Sequence, residues 1–530
     1  MAIGSGANVE VIKSNMVRTV YRLTAAGVRL YVKAYHSRGV EEALKSLIRP
    51  SRALCEWQAM CRLEAAGIAT AIPVFYGERR SAGILKHAFF AATEITDTLN
   101  FGAFVEQAQA AGEWNRALKE AIYEGMAHLT ARLHACHIRH GDFHLGNILV
   151  SRALNQSPRL HLIDLHTVSF PSRLSRKARI LNLARVGEVL SQLDQGQDLD
   201  LFLGRYLDEA PGFSPSTSAL RSEVMLKVTK LLARRLKSRT RRCLLESSQF
   251  TPARQDGYAM NLRRTCSPAM AIEAIERHDQ VENENGPGLL HPVFKNKVTA
   301  VEVPGPDGRC RLCVKEYRAR SFGSRLFPWL SEARRSWIAG RGLEVRGIAT
   351  PRTEAWVRKG AREFLITLFV EAKRLYDFQA DRCQGLPESE AAELQKRIAV
   401  ELAAFVRILH DSGIRHNDLS EQNIMVSHDH GTRHFLLIDC DTLSFKADPG
   451  EKGIMKNLVQ LGHMPEDVNV MAKARFLREY LGKDRRDEWR SMIRILDKGI
   501  LRRMERKRKK FVILRLPDPH PRPSRLKGDW

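Results

Sequence analysis

The chain has 530 residues and carries 85 Lys and Arg against 60 Asp and Glu, a net charge of +25 at neutral pH. That length suits two to four domains, and 44% hydrophobic with 27% charged residues is the balance of a folded chain, not a disordered one. No apolar run reaches the ~18 residues of a membrane span, and the opening MAIGSGANVEV lacks the basic-then-apolar order of a signal peptide.

Nine cysteines include a single CxxC, Cys310 to Cys313, with no second pair and no His-rich cluster beside it, which argues against a disulfide framework or a zinc site and for a reducing, cytoplasmic setting. The charge favours an anionic partner (membrane surface, phosphorylated glycolipid, nucleic acid or acidic protein) or a surface kept basic for solubility. Nucleic acid is the weakest of these, because no zinc finger, RNP motif or aromatic-basic interleaving accompanies the charge.

In chain order, residues 16–35 (MVRTVYRLTAAGVRLYVKAY) predict two strands joined by a turn at Ala26-Gly27. Lys33 lies inside the second strand, where burying an unpaired ammonium is costly. A bound phosphate accounts for it, and so does snorkelling at a strand edge. SRALCEWQAM, from Ser51 to Met60, predicts a helix that carries Glu56 toward Lys33. Ala88–Ile95 and Phe101–Val105 read as a buried strand running into a helix. Leu118, Ile122, Met126, Leu129 and Leu133 are spaced 4, 4, 3 and 4, one apolar face of an amphipathic helix. A polar loop with His140, Asp142 and Asn147 follows, then a short strand that ends in Asp164. Helices around Asn182 and Tyr206-Leu207 and a basic segment at 233–242 complete the first half.

The chain then writes the pattern again. His134 and His410, His140 and His416, Asp142 and Asp418, and Asn147 and Asn423 each differ by 276, and Asp164 and Asp439 differ by 275. Leu394, Ile398, Leu402, Phe405 and Leu409 repeat the helical stripe. A period this long means two whole domains, not a solenoid. Upstream, Trp57 and Trp337, and Gly67 and Gly347, differ by 280, which puts Ser336 opposite Glu56; Glu332, one helical turn earlier, is the nearest substitute acid. Lys315 repeats the strand lysine after a turn at PGPDG, 304–308. A second basic segment lies at 502–510, and both basic segments suit docking to an anionic membrane surface or simple solvation. Residues 243–290, with HDQVENENGPG, read as a linker in which IEAIERH is helical, and the Pro- and Arg-rich end reads as disordered.

Each half thus supplies a strand lysine, a loop Asp, an Asn five residues later and a strand-end Asp. Phosphoryl transfer needs such parts: a cation for nucleotide phosphates, oxygen ligands for magnesium, and a carboxylate for the acceptor hydroxyl. The loop HGDFHLGN and the tripeptide at Asp164 resemble the catalytic loop and metal-binding tripeptide of the protein-kinase-like superfamily. More narrowly, IRHGDFHLGNIL followed by LHLIDLHTVSF resembles the lipopolysaccharide kinase (Kdo/WaaP) family, bacterial enzymes that phosphorylate sugars of the lipopolysaccharide core. Aminoglycoside and choline kinases carry similar loops. The resemblance runs from Tyr31 to Tyr206 and from Leu312 to Tyr480.

It implies an α+β fold of two tandem bilobal kinase-like domains, each with a β-rich first lobe and a helical second lobe. The expected boundaries are 1–242 and 291–512, with a linker at 243–290 and a basic tail at 513–530. It also implies ATP and magnesium as cofactors and a sugar or glycolipid acceptor met at the inner face of a membrane. Asp142 and Asp418 would be catalytic. Lys33, Glu56 and Lys315 would serve ATP, and Asn147, Asp164, Asn423 and Asp439 the metal. His140 and His416 would hold the loop. Neither half has a clear glycine-rich loop before the lysine strand, and neither tripeptide has Phe-Gly after its Asp. The absence of an acid at Ser336 makes the second half the weaker catalyst, which leaves open one catalytic half beside a pseudokinase scaffold, or a protein or small-molecule kinase.

Overall fold

The computed structural model describes residues 8–14, 18–25, 27–36, 44, 46–151, 158–193, 197–210, 212–284, 288–291, 297–305, 308–318, 331–429, 432–446, 450–462 and 470–513. The chain divides into two compact units, with the break between Leu232 and Ala233. Each unit has the two-lobed, kinase-like α+β architecture.

In the first unit, β1 (Asn8–Ser14), β2 (Arg18–Ala25) and β3 (Val28–His36) precede helix α1 (Arg52–Ala65), and β4 (Pro73–Ser81) and β5 (Ile84–Thr93) follow it. The five strands make an antiparallel sheet in the order β1-β2-β3-β5-β4. Gly27, at φ 79°, occupies the β2–β3 turn, a backbone conformation that costs glycine little. The turn sets the register: Val20 lies opposite Lys33 and Arg18 opposite Tyr35. Helix α1 starts where the Ser51 hydroxyl accepts the Leu54 N–H at 3.1 Å, an N-cap bond. Its buried face (Ala53, Glu56, Ala59, Met60, Leu63) repeats every three or four residues, so one acid is carried into an otherwise apolar stripe.

The second lobe contains β6 (Thr98–Asn100), α2 (Phe101–Ala110), α3 (Arg116–Ala135), β7 (Arg139–His140), β8 (Ile148–Ser151), β9 (Arg159–Leu162), β10 (Val168–Ser169), α4 (Arg176–Leu193), α5 (Gln197–Glu209) and α6 (Thr217–Arg241). Helix α3 buries Ile122, Met126, Leu129 and Leu133, with Leu118 packed at the margin. Each such side chain contributes about 1.5–3 kcal/mol by leaving water.

Residues 243–290 are not a linker. They form β11 (Phe250–Gln255), β12 (Tyr258–Arg263), helix α7 (Pro268–Glu284) and β13 (Leu289–His291). Asp256-Gly257, both at positive φ, is the two-residue turn that joins β11 to β12. Of HDQVENENGPG, the stretch that suggested a linker, residues 278–284 are the end of α7 and 285–287 lie outside the described residues. Before it, Met260, Leu262, Ala271, Ala274 and Ile275 enter a core with Val301, Leu312 and Phe364. With β14 (Val298–Gly305), β15 (Gly308–Arg318), helix α8 (Glu332–Glu344), β16 (Thr353–Lys359) and β17 (Arg362–Leu368), the hairpin completes a seven-stranded sheet ordered β11-β12-β16-β17-β15-β14-β13. Helix α7 is tied to this sheet by polar contacts as well. His278 Nδ1 meets the Thr299 hydroxyl at 2.8 Å, and Arg362 bonds both Asp279 (3.1 Å) and Glu316 (2.7 Å). At PGPDG, Gly305 pairs with Gly308 across the β14–β15 turn.

The helical lobe of this unit holds β18 (Lys373–Arg374), α9 (Leu375–Cys383), α10 (Glu388–Asp411), β19 (Ile414–His416), β20 (Ile424–Asp429), β21 (Thr432–Leu437), β22 (Leu443–Phe445), α11 (Glu451–Leu461), α12 (Val470–Leu481) and α13 (Trp489–Ile513). The basic segment at 502–510 lies on α13, and that at 233–242 falls mostly at the end of α6. Except for Ile513, the end of α13, the expected tail at 513–530 lies outside the described residues. Among the described residues no helix is long and apolar enough to cross a membrane.

If 243–290 is part of the second unit's core, Ile275→Ala should destabilise that unit by about 2–4 kcal/mol in urea denaturation. A linker residue would give no measurable change.

Candidate active site

The loop is built in the same way in both units. Buried His140 accepts the Asp142 N–H on Nδ1 at 3.2 Å, and His416 accepts the Asp418 N–H at 3.0 Å. The Asn147 amide donates to the Asp142 carbonyl at 2.9 Å, and the Asn423 amide to the Asp418 carbonyl at 2.8 Å. The Asn147 carbonyl in turn accepts the Ile163 N–H (3.0 Å), and that of Asn423 the Ile438 N–H (2.9 Å), which ties the loop to the strand that delivers the last acid. From behind, Asn182 of α4 donates to the His140 carbonyl at 3.4 Å, and Asn457 of α11 donates to the His416 carbonyl. Gly141 and Asn417 occupy the same place. A Cβ on Gly141 would stand 2.8 Å from the Thr167 carbonyl; in the second unit the Asn417 side chain reaches Thr442 O at 2.8 Å.

Asp164 and Asp439 both sit in the left-handed region, at φ 61° and 57°. Non-glycine residues seldom adopt it, and here the two fall at matched positions of the two units. His134 and His410, at the ends of α3 and α10, are packing residues: their Nδ1 atoms meet Tyr206 OH at 2.9 Å and Tyr480 OH at 2.7 Å. Burial pushes the His134 ring down to about 3 and the His140 ring down to about 4, so both stay neutral near pH 7.

The two lysines differ. In the first unit, Lys33 bonds Glu56, which is 0% exposed and also accepts from Tyr35 OH. Lys33 Nζ lies 3.7 Å from Asp164 Oδ1. Asp164 is held further by Arg18, bidentate at 2.7 and 2.8 Å, and by His166 at 2.8 Å. Burial works against its ionisation, but His166, Arg18 and Lys33 together overcome that and hold the carboxyl well below the usual range. In the second unit, Tyr317 finds the Ser336 hydroxyl at 3.1 Å where Tyr35 finds Glu56, and Lys315 bonds Asp439 instead. Burial disfavours the Lys315 ammonium, but the neighbouring Tyr317 hydroxyl and Asp439 carboxylate more than offset it and raise its pKa. Glu332 makes itself felt at Asp441, whose carboxyl is raised by burial, by Asp439 and, to a lesser degree, by Glu332. A cavity of about 780 Å³ in this unit is lined by Lys315, Leu365, Asn423, Met425 and Asp439 among others.

The structure therefore brings Lys33, Glu56 and Asp164 into contact, puts Asn147 on the Asp142 loop, and joins Lys315 to Asp439 with Asn423 in the same cavity. The sequence reading missed Arg18. The signal was present, because counting back through the β2–β3 turn puts Arg18 opposite Tyr35, two residues from Lys33 on the same face.

The profile of the lipopolysaccharide kinase (Kdo/WaaP) family matches residues 7–206 and 332–480. Lipopolysaccharide core heptose(I) kinase WaaP of Pseudomonas aeruginosa is 28% identical over 191 residues, which cover 34% of this chain and 68% of that protein. The protein of the same name from Escherichia coli is 22% identical over 240 residues, 43% of this chain and 89% of that protein. Among solved structures, WaaP in complex with acyl carrier protein is 25% identical, covering 42% of this chain and 89% of that one, with a TM-score of 0.34.

Two outcomes follow from these contacts. Lys33→Met leaves Glu56 buried without its cation and should cost the first unit about 3–5 kcal/mol. Lys315→Met leaves Asp439, 45% exposed, able to turn to water and should cost the second at most ~1 kcal/mol. Urea denaturation of each variant reads both. The histidines set a pH dependence. Above the ordinary 6.5 the rings are neutral whether the chain is folded or not. Below it the unfolded chain takes up protons first, so stability should fall from pH 6.5 toward about 4 and 3, where the folded rings protonate. His134→Asn should flatten that slope by up to one proton's worth.

Proposed function

Because this chain belongs to the lipopolysaccharide kinase (Kdo/WaaP) family, we propose that it transfers a phosphoryl group from ATP, with magnesium, to a hydroxyl of a lipopolysaccharide-core sugar or related glycolipid. The observation that carries this reading is the contact set of the first unit, where a lysine on a buried glutamate stands 3.7 Å from the strand-end acid. In this reading Lys33, fixed by Glu56, holds the nucleotide phosphates, and Lys315 does so in the second unit. Asp142 and Asp418 orient the acceptor hydroxyl and take its proton.

The donor set fits magnesium, a hard ion that prefers oxygen. Asp164 and Asp439 offer carboxylates. Asn147 and Asn423 spend their amide N–H on the loop carbonyl, which leaves their oxygens as the remaining donors. When bound, the ion supplies charge neutralisation at the phosphates. Asp164 also carries Arg18 on both oxygens, and a nucleotide phosphate that draws Arg18 away would free them for the ion. The basic ends of α6 and α13 suit an anionic membrane surface, each nearby Lys or Arg adding ~1 kcal/mol.

A second reading keeps the first unit as the catalyst and the second as a scaffold. It is favoured by Ser336, which leaves Lys315 without the buried carboxylate that steadies Lys33. Labelled ATP, magnesium and a lipopolysaccharide extract should yield labelled glycolipid with the purified chain. Asp142→Ala together with Asp418→Ala should reduce the rate ~10²-fold or more, and Asp142→Ala alone should do so only if the second unit is a scaffold. If Asp418→Ala has no effect, the scaffold reading holds for the second unit. Labelling that survives both substitutions together would overturn the proposal.

A further inference from the structure

Each loop aspartate has a guanidinium beside it, and the two arginines come from different parts of the fold. Arg185 Nη1 lies 3.3 Å from Asp142 Oδ1. It projects from α4, one turn beyond Asn182, the residue that bonds the loop. The same position of α11 is Gln460, since Asn182 and Asn457, and Arg185 and Gln460, both differ by 275. Gln460 is buried and neutral, and it binds loop backbone, donating to the Asn417 carbonyl and accepting the Leu419 N–H at 3.3 Å. The cation has nonetheless been restored. Arg503, from α13, lies with Nη2 3.4 Å from Asp418 Oδ1. The residue two beyond the aspartate changes as well: His144, 3.4 Å from Asp142 Oδ2, is replaced by Ser420. What the two units share is a guanidinium on the open side of the loop acid, not the element that delivers it.

Stability gives little reason for this. Asp142 and Asp418 are 52% and 59% exposed and the contacts are long, so neither pair adds much to stability. A loosely held guanidinium is free to exchange its carboxylate for another anion, and its planar fork matches phosphate or carboxylate oxygens.

Resting on the kinase reading above, we infer that Arg185 and Arg503 are acceptor-binding residues. Each grips an anionic group, phosphate or carboxylate, carried by the acceptor next to the hydroxyl that the aspartate orients. The enzyme would thus select acceptors that already carry a negative charge.

The test uses the full chain with magnesium-ATP and a lipopolysaccharide extract, with ATP and acceptor varied in turn. Arg185→Ala should raise the acceptor KM about tenfold or more, at unchanged KM for ATP and unchanged Kd for magnesium-ADP, and Arg185→Lys should recover only part of the loss. Extract stripped of phosphate with hydrofluoric acid separates the sources: a penalty that disappears assigns a phosphate, and one that persists assigns a carboxylate. Arg503→Ala should weaken direct binding of the extract at saturating magnesium-ADP by about threefold or more. An unchanged acceptor KM, or an equal loss of acceptor-free ATP hydrolysis, would overturn the acceptor role, the latter moving the arginine to the transferred phosphoryl. Absence of transfer by the unaltered chain, with magnesium-ADP still bound, would sink the kinase reading and this inference with it.

Discussion

The site depends on one short relay of hydrogen bonds, from a strand N–H to an asparagine carbonyl and from that asparagine's amide to the carbonyl of the loop aspartate. Ile163, Asn147 and Asp142 form it in the first unit, and Ile438, Asn423 and Asp418 in the second. A polar loop has no ladder to keep its shape, and its backbone groups must be satisfied individually. The relay does this and fixes the loop acid relative to the strand-end acid in the same step. The histidine behind each loop closes the third side, and because burial keeps it neutral it can accept the aspartate's N–H. Everything that converges on the relay from the sheet or from the helices is placed relative to a frame that is already rigid.

The difference between the units lies outside that frame. It turns on a single helix position, Glu56 or Ser336. With the glutamate present, a tyrosine and a lysine two residues apart on one strand share a buried carboxylate, and the lysine is held part-way to Asp164. With serine there the tyrosine is still satisfied, but the ammonium swings to Asp439. A buried charge without a partner is too costly to persist, so the loss of one acid redirects its partner instead of leaving it free. The same economy is seen at Arg18, whose guanidinium partners the Asp164 carboxylate on both oxygens.

Much of this was legible in the sequence because the chain repeats itself. The helical stripe of α3 and α10, the paired strands around Lys33 and the turn at PGPDG follow from periodicity and punctuation alone. Within 243–290 the helix at IEAIERH was read and is part of α7, but the region's place in the sheet was not, because composition outweighed one real signal: Asp-Gly between Gln255 and Tyr258 is a hairpin turn. Arg18 was within reach of strand register. Arg503 was not, since it lies 85 residues beyond Asp418 on a helix whose placement no local pattern fixes.

The hairpin at β11–β12 also closes the outer side of β16, leaving Trp356 only 9% exposed. In the first unit the equivalent strand, β4, ends its sheet among the described residues, and Tyr76, at the position 280 residues earlier, is 41% exposed beside Phe75. Unpaired strand backbone flanked by aromatic side chains is a template for another extended chain. What guards it is irregularity: two breaks in register, at Pro73/Phe75 and Arg79/Arg80, and the two arginines themselves. Among the described residues, one half therefore protects this strand by cover and the other by a crooked, charged rim.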